Sequence, residues 1–285
     1  MKILAFGEVL WDIFPDDEFI GGAPLNFAAH LSKMGEEAYV LTSVGNDALG
    51  TKSLQIIGDF GVKTDYISVS ECLETGKCLV TLDSNKVPKY NLLQNVAYDE
   101  IPVENIPDNF GVLYFGTLAL RNGFNRDSLN KLLENNSFKE IFVDVNIRPP
   151  FYSKETIEFA VSNATILKIS DEESPQIADA LGLRLDNDFA RRLCERYENL
   201  KLVIITLGSI GSFCYERANN REYRAGCIET IVASTVGAGD SFSAAFLHKY
   251  LCGAGIKSCL NFAAKISGFV VSKTEAIPNY NVENF

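Results

Sequence analysis

Short apolar runs alternate with helical patterns along all 285 residues, and this alternation limits the possible folds more than any other feature. It is typical of a parallel sheet covered by helices on both faces. The predicted strands are Ile3 to Phe6, Tyr39 to Ser43, Val112 to Phe115, Ile141 to Val145, Ile166 to Ile169 and Leu202 to Thr206. The predicted helices are Pro24 to Lys33, Thr51 to Phe60, Arg126 to Glu134, Lys154 to Ser162, Glu172 to Leu181, Asp188 to Tyr197, Gly239 to Leu251 and Ile256 to Ser272. The sequence therefore predicts an α/β fold, a three-layer α/β/α sandwich around a mostly parallel sheet.

Two segments do not follow this alternation of strand and helix patterns. Asp12 to Ile20 and about Thr75 to Leu93 lack helical periodicity, and the second carries turn residues around Asn85 and Pro88. We predict that they pair as a small β lid, from about 12–20 and 75–93, over the ligand edge of the sheet. A surface hairpin without function is the alternative. We find no repeat or linker that divides the chain, so residues 1–285 are expected to form one domain.

The charge balance excludes some classes of partner. Acidic residues number 37 against 26 basic ones, giving a net charge of -11. This argues against a nucleic-acid or acidic-membrane partner. The acidic Glu8 falls too early in the chain to allow the apolar stretch of a signal peptide. No run of eighteen apolar residues, as a membrane-spanning helix needs, occurs in the sequence. We therefore expect a cytoplasmic protein.

The cysteines and histidines give no metal or disulfide pattern in the sequence. The seven cysteines form no C-x-x-C pair and are odd in number. They are expected to be reduced and mostly buried, without a disulfide framework or a zinc site. His30 and His248 are single histidines on apolar helices, so we expect them to be packed rather than catalytic.

The stretch from Thr235 to Phe242 carries the strongest chemical signal. An apolar, extended-looking segment, Ile228 to Ala233, leads into small residues that open a helical pattern. Unpaired backbone N–H groups and the positive end of the helix dipole meet at such a start, where an anion can be held. The carboxylate of Asp240, in the first turn, could accept a proton from an attacking hydroxyl. A capping role for Asp240 and a simple turn are the alternatives.

The residues Val236-Gly237-Ala238-Gly239-Asp240-Ser241-Phe242 resemble the carboxyl-side signature of the ribokinase-like sugar kinases, the PfkB family. The resemblance implies that Asp240 is the catalytic base and that Gly237, Ala238 and Gly239 form the anion hole. It also implies ATP as phosphate donor, with Mg²⁺ arriving on the nucleotide, so we predict no dedicated protein cage for a metal.

Several further segments resemble family patterns for the sugar side. Gly21 and Gly22 let the backbone approach a ligand, and Asn26 offers one donor and one acceptor from the next helical turn. The family pattern implies that these residues bind the sugar, that Asp12 accepts bonds from its hydroxyls and that Gly45 lines its pocket. A simple turn and a solvated loop acid are the alternatives.

The remaining family segments follow later strands. Asp144-Val145-Asn146-Ile147-Arg148 resembles the family's Asp-x-Asn-x-Arg segment, which implies that Asn146 and Arg148 face the reaction centre. A surface salt bridge is the alternative for Arg148. On the nucleotide side, similar patterns imply contacts from Lys168, Glu173, Thr206, Gly208 and Gly211, although an ordinary hairpin turn would also explain the last two.

The chain departs from the family pattern at three places. Ser170 replaces an asparagine, Ser234 replaces an aspartate, and Glu275-Ala276 stands where many relatives have Gly-Ala. The last two positions belong to loops that hold a monovalent cation in the family, so we expect weak or altered potassium dependence.

Together these patterns predict an ATP-dependent kinase for a primary hydroxyl of a small sugar. Fructose is the first candidate, because Gly-Gly-Ala-Pro-x-Asn resembles fructokinases. Ribose, a ketodeoxy sugar acid and a nucleoside remain open, since the basic lid motif of many fructokinases is not evident in Lys89 to Leu92. A silent sugar-binding or regulatory protein of the same fold is the other alternative. The family resemblance also implies a homodimer formed through the lid. The Walker and dinucleotide motifs are absent.

Overall fold

A nine-stranded sheet forms the centre of the protein in the computed structural model, which describes residues 1–82 and 88–285. Its strands are β1 (Lys2–Phe6), β4 (Glu37–Gly45), β5 (Ile67–Ser70), β8 (Val112–Phe115), β9 (Glu140–Asp144), β10 (Ile166–Ser170), β11 (Leu202–Thr206), β12 (Ser212–Glu216) and β13 (Arg221–Ala225). They are ordered β13-β12-β11-β10-β9-β8-β1-β4-β5, and only the pairs that involve β12 and β13 are antiparallel. The six predicted strands are confirmed.

Helices cover both faces of this sheet. They are α1 (Ala23–Lys33), α2 (Ala48–Asp59), α3 (Gly123–Asn135), α4 (Lys154–Asn163), α5 (Ser174–Leu181), α6 (Phe189–Arg196), α7 (Ala238–Leu251) and α8 (Ile256–Val271). One apolar core lies between the sheet and α1, α7 and α8, and a second lies between the sheet and α3 to α6. The predicted three-layer α/β/α arrangement is therefore confirmed.

Helix starts were harder to predict than helix bodies. Helix α2 begins three residues before the predicted Thr51, because the side chain of Asp47 caps it by accepting from the N–H of Gly50 at 2.8 Å. Asn122 caps α3 in the same way. Caps are set by single polar residues, whereas apolar periodicity reports only the buried turns.

The two segments without helical periodicity both enter a second sheet. Its strands are β2 (Leu10–Ile13), β3 (Glu18–Gly21), β6 (Gly76–Leu82) and β7 (Pro88–Leu92), in the order β3-β2-β6-β7. Strands β2 and β6 pair in parallel, which joins the two segments. The predicted turn at Asn85 lies outside the described residues.

The apolar segment that precedes α7 belongs to neither sheet. Ile228 to Ala233 forms no strand and lies exposed at the surface, with Ile231 at 90% exposure. Apolar content alone cannot distinguish an extended strand from an exposed apolar loop.

All seven cysteines are free, and Cys78, Cys194, Cys214 and Cys259 are buried. Among the described residues no helix is both long enough and apolar enough to cross a bilayer.

Candidate active site

The start of α7 forms a small-residue loop that leaves backbone donors open. Gly237 precedes the helix with φ of +78° and provides no side-chain cap. A Cβ on Gly237 would lie 2.7 Å from the carbonyl oxygen of Ala276, so only glycine fits this turn. Among the described residues, no atom accepts a hydrogen bond from the backbone N–H of Gly239 or of Asp240. An anion can therefore bind here along the helix axis.

Asp240 lies beside these donors and is bonded to α1. Nδ2 of Asn26 donates to Oδ2 of Asp240 at 2.7 Å, which joins two residues 214 positions apart. Burial raises the pKa of Asp240 to about 6, while the Asn26 bond and the charge of Lys168 oppose the shift. A carboxylate with this pKa is ionised near neutral pH yet basic enough to accept a proton.

A buried ion pair supports the loop from below. Nζ of Lys168 lies 3.0 Å from both carboxylate oxygens of Asp144, and Oγ of Ser243 on α7 donates to Asp144 at 3.0 Å. Carboxylates at Asp144 and Glu173 outweigh burial and raise the pKa of Lys168, so it carries its positive charge. A Cβ on Gly239 would lie 3.0 Å from this ammonium. Lys168 therefore lies next to the loop of Gly237 to Gly239, which we call the anion loop, and it faces Asp144 rather than open solvent.

His30 holds the segment behind the loop, one helical turn after Asn26. Its Nδ1 lies 2.8 Å from the hydroxyl of Tyr280, and its Nε2 lies 3.0 Å from the carbonyl oxygen of Ala276. Burial lowers the pKa of His30 to about 4, so the ring is neutral near pH 7. Nε2–H then donates to Ala276, and Nδ1 accepts from Tyr280. The ring is packed, as expected, and it also fixes the backbone that contacts Gly237.

Gly21 and Gly22 lie where the second sheet enters α1. Gly22 has φ of +116°, and a Cβ there would lie 2.2 Å from the carbonyl oxygen of Glu8. Asp12 lies across from this turn, with Oδ2 3.6 Å from the Cβ position of Gly21. Burial raises the pKa of Asp12, and the Arg148 charge opposes the rise. The structure thus brings these residues to the same edge as Asn26.

Glu8 is a site residue that sequence reasoning did not assign. It is 3% exposed, its Oε1 accepts from the N–H of Ala23 at 3.4 Å, and its Oε2 has no partner among the described residues. Burial raises its pKa to about 7, and the charges of Arg148 and Asp240 act on it. The signal was present in the sequence as an acid directly after Gly7 at the end of β1.

Other buried polar atoms around this edge also have no partner in the described part of the chain. They are Oδ1 of Asn26 and the hydroxyls of Tyr98 and Tyr114. Burial raises the pKa of Tyr114 strongly, with the charges of Asp144, Asp240 and Glu8 adding to it. Since buried polar groups are normally paired, these atoms indicate a place for a ligand with several hydroxyls.

Gly45 lies at the base of the second sheet. Its N–H donates to Oγ1 of Thr75 at 2.9 Å, and a Cβ would lie 2.5 Å from the N–H nitrogen of Thr75 and 2.7 Å from Asp47. Asp47 also accepts from the N–H and hydroxyl of Thr75. These contacts hold β6 against β4, so Gly45 is needed here for close packing.

Glu173 bridges the ends of β9 and β10. Its Oε1 accepts from the N–H of Ile147 at 2.6 Å, and its Oε2 accepts from the N–H and hydroxyl of Ser170 at 2.7 and 2.8 Å. Ser170 therefore holds Glu173 in place despite the departure from the family pattern. Asn146 follows β9 with φ of +47°, and Arg148 lies exposed at the rim.

Three of the predicted nucleotide-side residues, Thr206, Gly208 and Gly211, lie on the β11–β12 hairpin. Thr206 ends β11, and Gly208 and Gly211 form the turn with φ of +54° and +123°. A Cβ on Gly211 would lie 2.1 Å from the carbonyl oxygen of Ala225, so the turn itself requires this glycine. Direct contact with a nucleotide stays a prediction for all three.

The sequence model of the family described as pfkB family carbohydrate kinase matches residues 16–282. The chain belongs to this family. This carbohydrate kinase is also similar to fructokinase-2 of Solanum habrochaites, with 25% identity covering 97% of the chain and 92% of the relative. It is 27% identical to 5-dehydro-2-deoxygluconokinase of Halalkalibacterium halodurans, over 92% of the chain and 83% of that relative.

Solved structures show the same fold. The fructokinase of Xylella fastidiosa with bound ATP superposes with a TM-score of 0.86 at 20% identity, covering 97% of this kinase and 94% of that chain. The 2-dehydro-3-deoxygluconokinase of Thermotoga maritima gives 0.82 at 24% identity, covering 99% and 97%. These structures show the ribokinase-like fold, and the family match shows the carbohydrate kinase class.

Proposed function

We propose that this kinase transfers the γ-phosphoryl group of ATP to a primary hydroxyl of a small neutral sugar, with fructose as the first candidate. The observation that carries this proposal is the Asp240 carboxylate, bonded to Asn26 and lying beside the open N–H groups of α7. Asp240 accepts the proton of the attacking hydroxyl. The open N–H groups of Gly239 and Asp240 and the dipole of α7 stabilise the charge on the transferred group. Gly237 and Ala238 shape the turn, and the N–H of Ala238 donates to Thr235.

ATP as the donor is supported by relatives whose structures hold it, including the Xylella fastidiosa fructokinase. Exposed apolar side chains at Ile231, Val232 and Val236 precede the start of α7, and Ile210 is exposed on the β11–β12 hairpin; side chains of this kind suit an adenine ring. Mg²⁺ bound to the nucleotide would neutralise phosphate charge. Glu173 fits an outer contact to it through Oε1, which accepts one hydrogen bond and keeps a lone pair, whereas Oε2 already accepts two.

The charges at the sugar side favour a neutral substrate over a sugar acid. Glu8 and Asp12 both lie at this edge, and Arg148 is the cation whose charge acts on both. A substrate carboxylate would meet two acidic groups there, whereas hydroxyls would supply donors to them. The unpartnered Oε2 of Glu8 needs such a donor.

A substrate panel tests this proposal. ADP release is measured with fructose, ribose, a ketodeoxy sugar acid and a nucleoside, and we expect the highest kcat/KM with fructose. A sugar acid as the best substrate would contradict the neutral-sugar assignment while leaving the kinase class intact. Absence of turnover with every member would favour the silent binding protein instead.

The pH profile tests the role of Asp240. Since the base must be ionised and its pKa is about 6, kcat/KM should fall as pH drops through 6, by roughly tenfold per unit well below it. The Asn26 bond lowers this pKa, so Asn26→Leu should move the acid limb to higher pH. If the acid limb kept its position in Asn26→Leu, the titration of another group, such as Glu8, would be responsible for it.

The second sheet is proposed to close over the sugar and exclude water during transfer. Phe19 and Tyr90 are exposed on it at 53% and 58%, which supports a homodimer through this surface.

Weak potassium dependence also stays a prediction. The hydroxyl of Ser234 accepts from the N–H of Val236 at 3.2 Å and carries no charge for a cation.

A further inference from the structure

A group of three metal-ligand side chains lies at the end of α7 opposite to Asp240. A nitrogen of His248, Sγ of Cys252 and a carboxylate oxygen of Glu36 lie within 4.8 Å of one another. In residues 1–82 and 88–285 this is the one such group of three. His248 and Cys252 are four positions apart, so they share one face of the helix end. Glu36 comes from the turn that leads into β4.

The surroundings favour a cation at this position. Cys252 caps the carboxyl end of α7, directly after Leu251, and the carbonyl end of a helix carries partial negative charge. Nδ1 of His248 lies 2.9 Å from Oε1 of Glu36, and both side chains are only 14% exposed. The amino group of Met1 lies 3.6 Å from Oε2 of Glu36, so a metal ion would compete with this positive charge for the carboxylate. Cys252 is exposed, and its thiol is not part of a disulfide.

The distances are close to those of a tetrahedral zinc site. Zinc bonds of about 2.0–2.3 Å place neighbouring ligand atoms roughly 3.5 Å apart. Atoms now within 4.8 Å of one another reach that spacing by movements of about 1 Å. Rotation of Cys252 and separation of the His248–Glu36 hydrogen bond provide this movement without a change in the backbone.

We propose that Glu36, His248 and Cys252 bind Zn²⁺, with water in the fourth position. Thiolate, imidazole and carboxylate are all ligands that zinc accepts. Cys252 binds as the thiolate, and its proton passes to solvent on binding. The ion joins the end of α7 to the turn before β4. His248 lies eight residues beyond Asp240, about 12 Å along the helix, so this site is separate from the anion loop.

Cobalt(II) titration of the reduced, chelator-treated protein tests the site without any measurement of turnover. We expect thiolate-to-cobalt charge transfer in the near-ultraviolet and tetrahedral ligand-field bands in the visible, both removed by added Zn²⁺. Loss of an outer-shell partner costs roughly 10- to 100-fold in metal affinity, so loss of a ligand in Cys252→Ser should weaken Zn²⁺ binding by at least that factor. Zn²⁺ should also raise the Tm of the wild-type protein.

Matched variants separate this site from other thiols. Cys72→Ser removes another exposed cysteine and should retain both the cobalt spectrum and the zinc affinity. His248→Gln keeps a donor for Glu36 but removes the imidazole, and it should lose the tetrahedral spectrum. A cobalt spectrum that persists in Cys252→Ser, or that is lost equally in Cys72→Ser, would overturn the proposal. Wild-type protein that shows no thiolate band with Co²⁺ would overturn it as well.

Discussion

Asp240→Asn is expected to lower kcat by a factor on the order of 10² to 10⁴ while the Kd of the sugar stays within a few-fold of the wild-type value. The amide has the same shape and still accepts the bond from Asn26, now made at 2.7 Å to the carboxylate. It cannot take the proton of a hydroxyl near neutral pH. Steady-state kinetics and sugar titration by calorimetry measure the two effects separately.

The matched control for this change is Asp127→Asn. Asp127 is an exposed carboxylate on α3, and its replacement should alter neither kcat nor sugar affinity. If Asp240→Asn retained kcat within a few-fold, Asp240 would be a capping residue. If it lost sugar binding to the same degree as turnover, its role would lie in substrate binding rather than in proton transfer.

Gly237→Ala is expected to reduce kcat by roughly 10²- to 10³-fold, the scale seen when a donor to a developing negative charge is lost. The new Cβ would lie 2.7 Å from the carbonyl oxygen of Ala276, so the loop must move and its N–H groups turn away. A left-handed conformation also costs a non-glycine residue about 1–2 kcal/mol. Kinetics and chemical denaturation should both detect the change.

Gly253→Ala provides a control with the same backbone strain. Gly253 has φ of +77°, against +78° for Gly237, but no atom lies within 4 Å of its Cβ position. Both variants should therefore lose similar stability from the left-handed conformation, while only Gly237→Ala also loses turnover. Equal turnover in the two variants would show that the loop at Gly237 does not hold the transferred group.

Local sequence patterns carried most of the information on the fold. Apolar runs such as Ile166 to Ile169 are long enough to identify a buried parallel strand. Strand β13 was not predicted, because the residues Arg221 to Ala225 are mostly polar and form an exposed edge. Its assignment depends on pairing with β12, which the periodicity of one segment cannot report.

In the site, as in the fold, some features depend on local sequence and others depend on contacts between residues that are far apart in the chain. The glycines of the α7 loop and of the turn at Gly22 can be predicted from the sequence, because tight turns need glycine. Lys168 pairs with Asp144, which lies 24 positions away in the sequence. His30 bonds to Ala276, which lies 246 positions away. Such contacts follow from strand order and helix docking, so a single sequence gives the residue types without their partners.

The most direct test of the central claim is a crystal structure of the kinase with its sugar acceptor and a non-hydrolysable ATP analogue. We expect a primary hydroxyl oxygen of the sugar within about 2.6–3.2 Å of a carboxylate oxygen of Asp240, on the line towards the γ-phosphorus. The γ-phosphate should accept from the N–H groups at the start of α7. A sugar bound with Asp240 directed away from its hydroxyls would contradict the account.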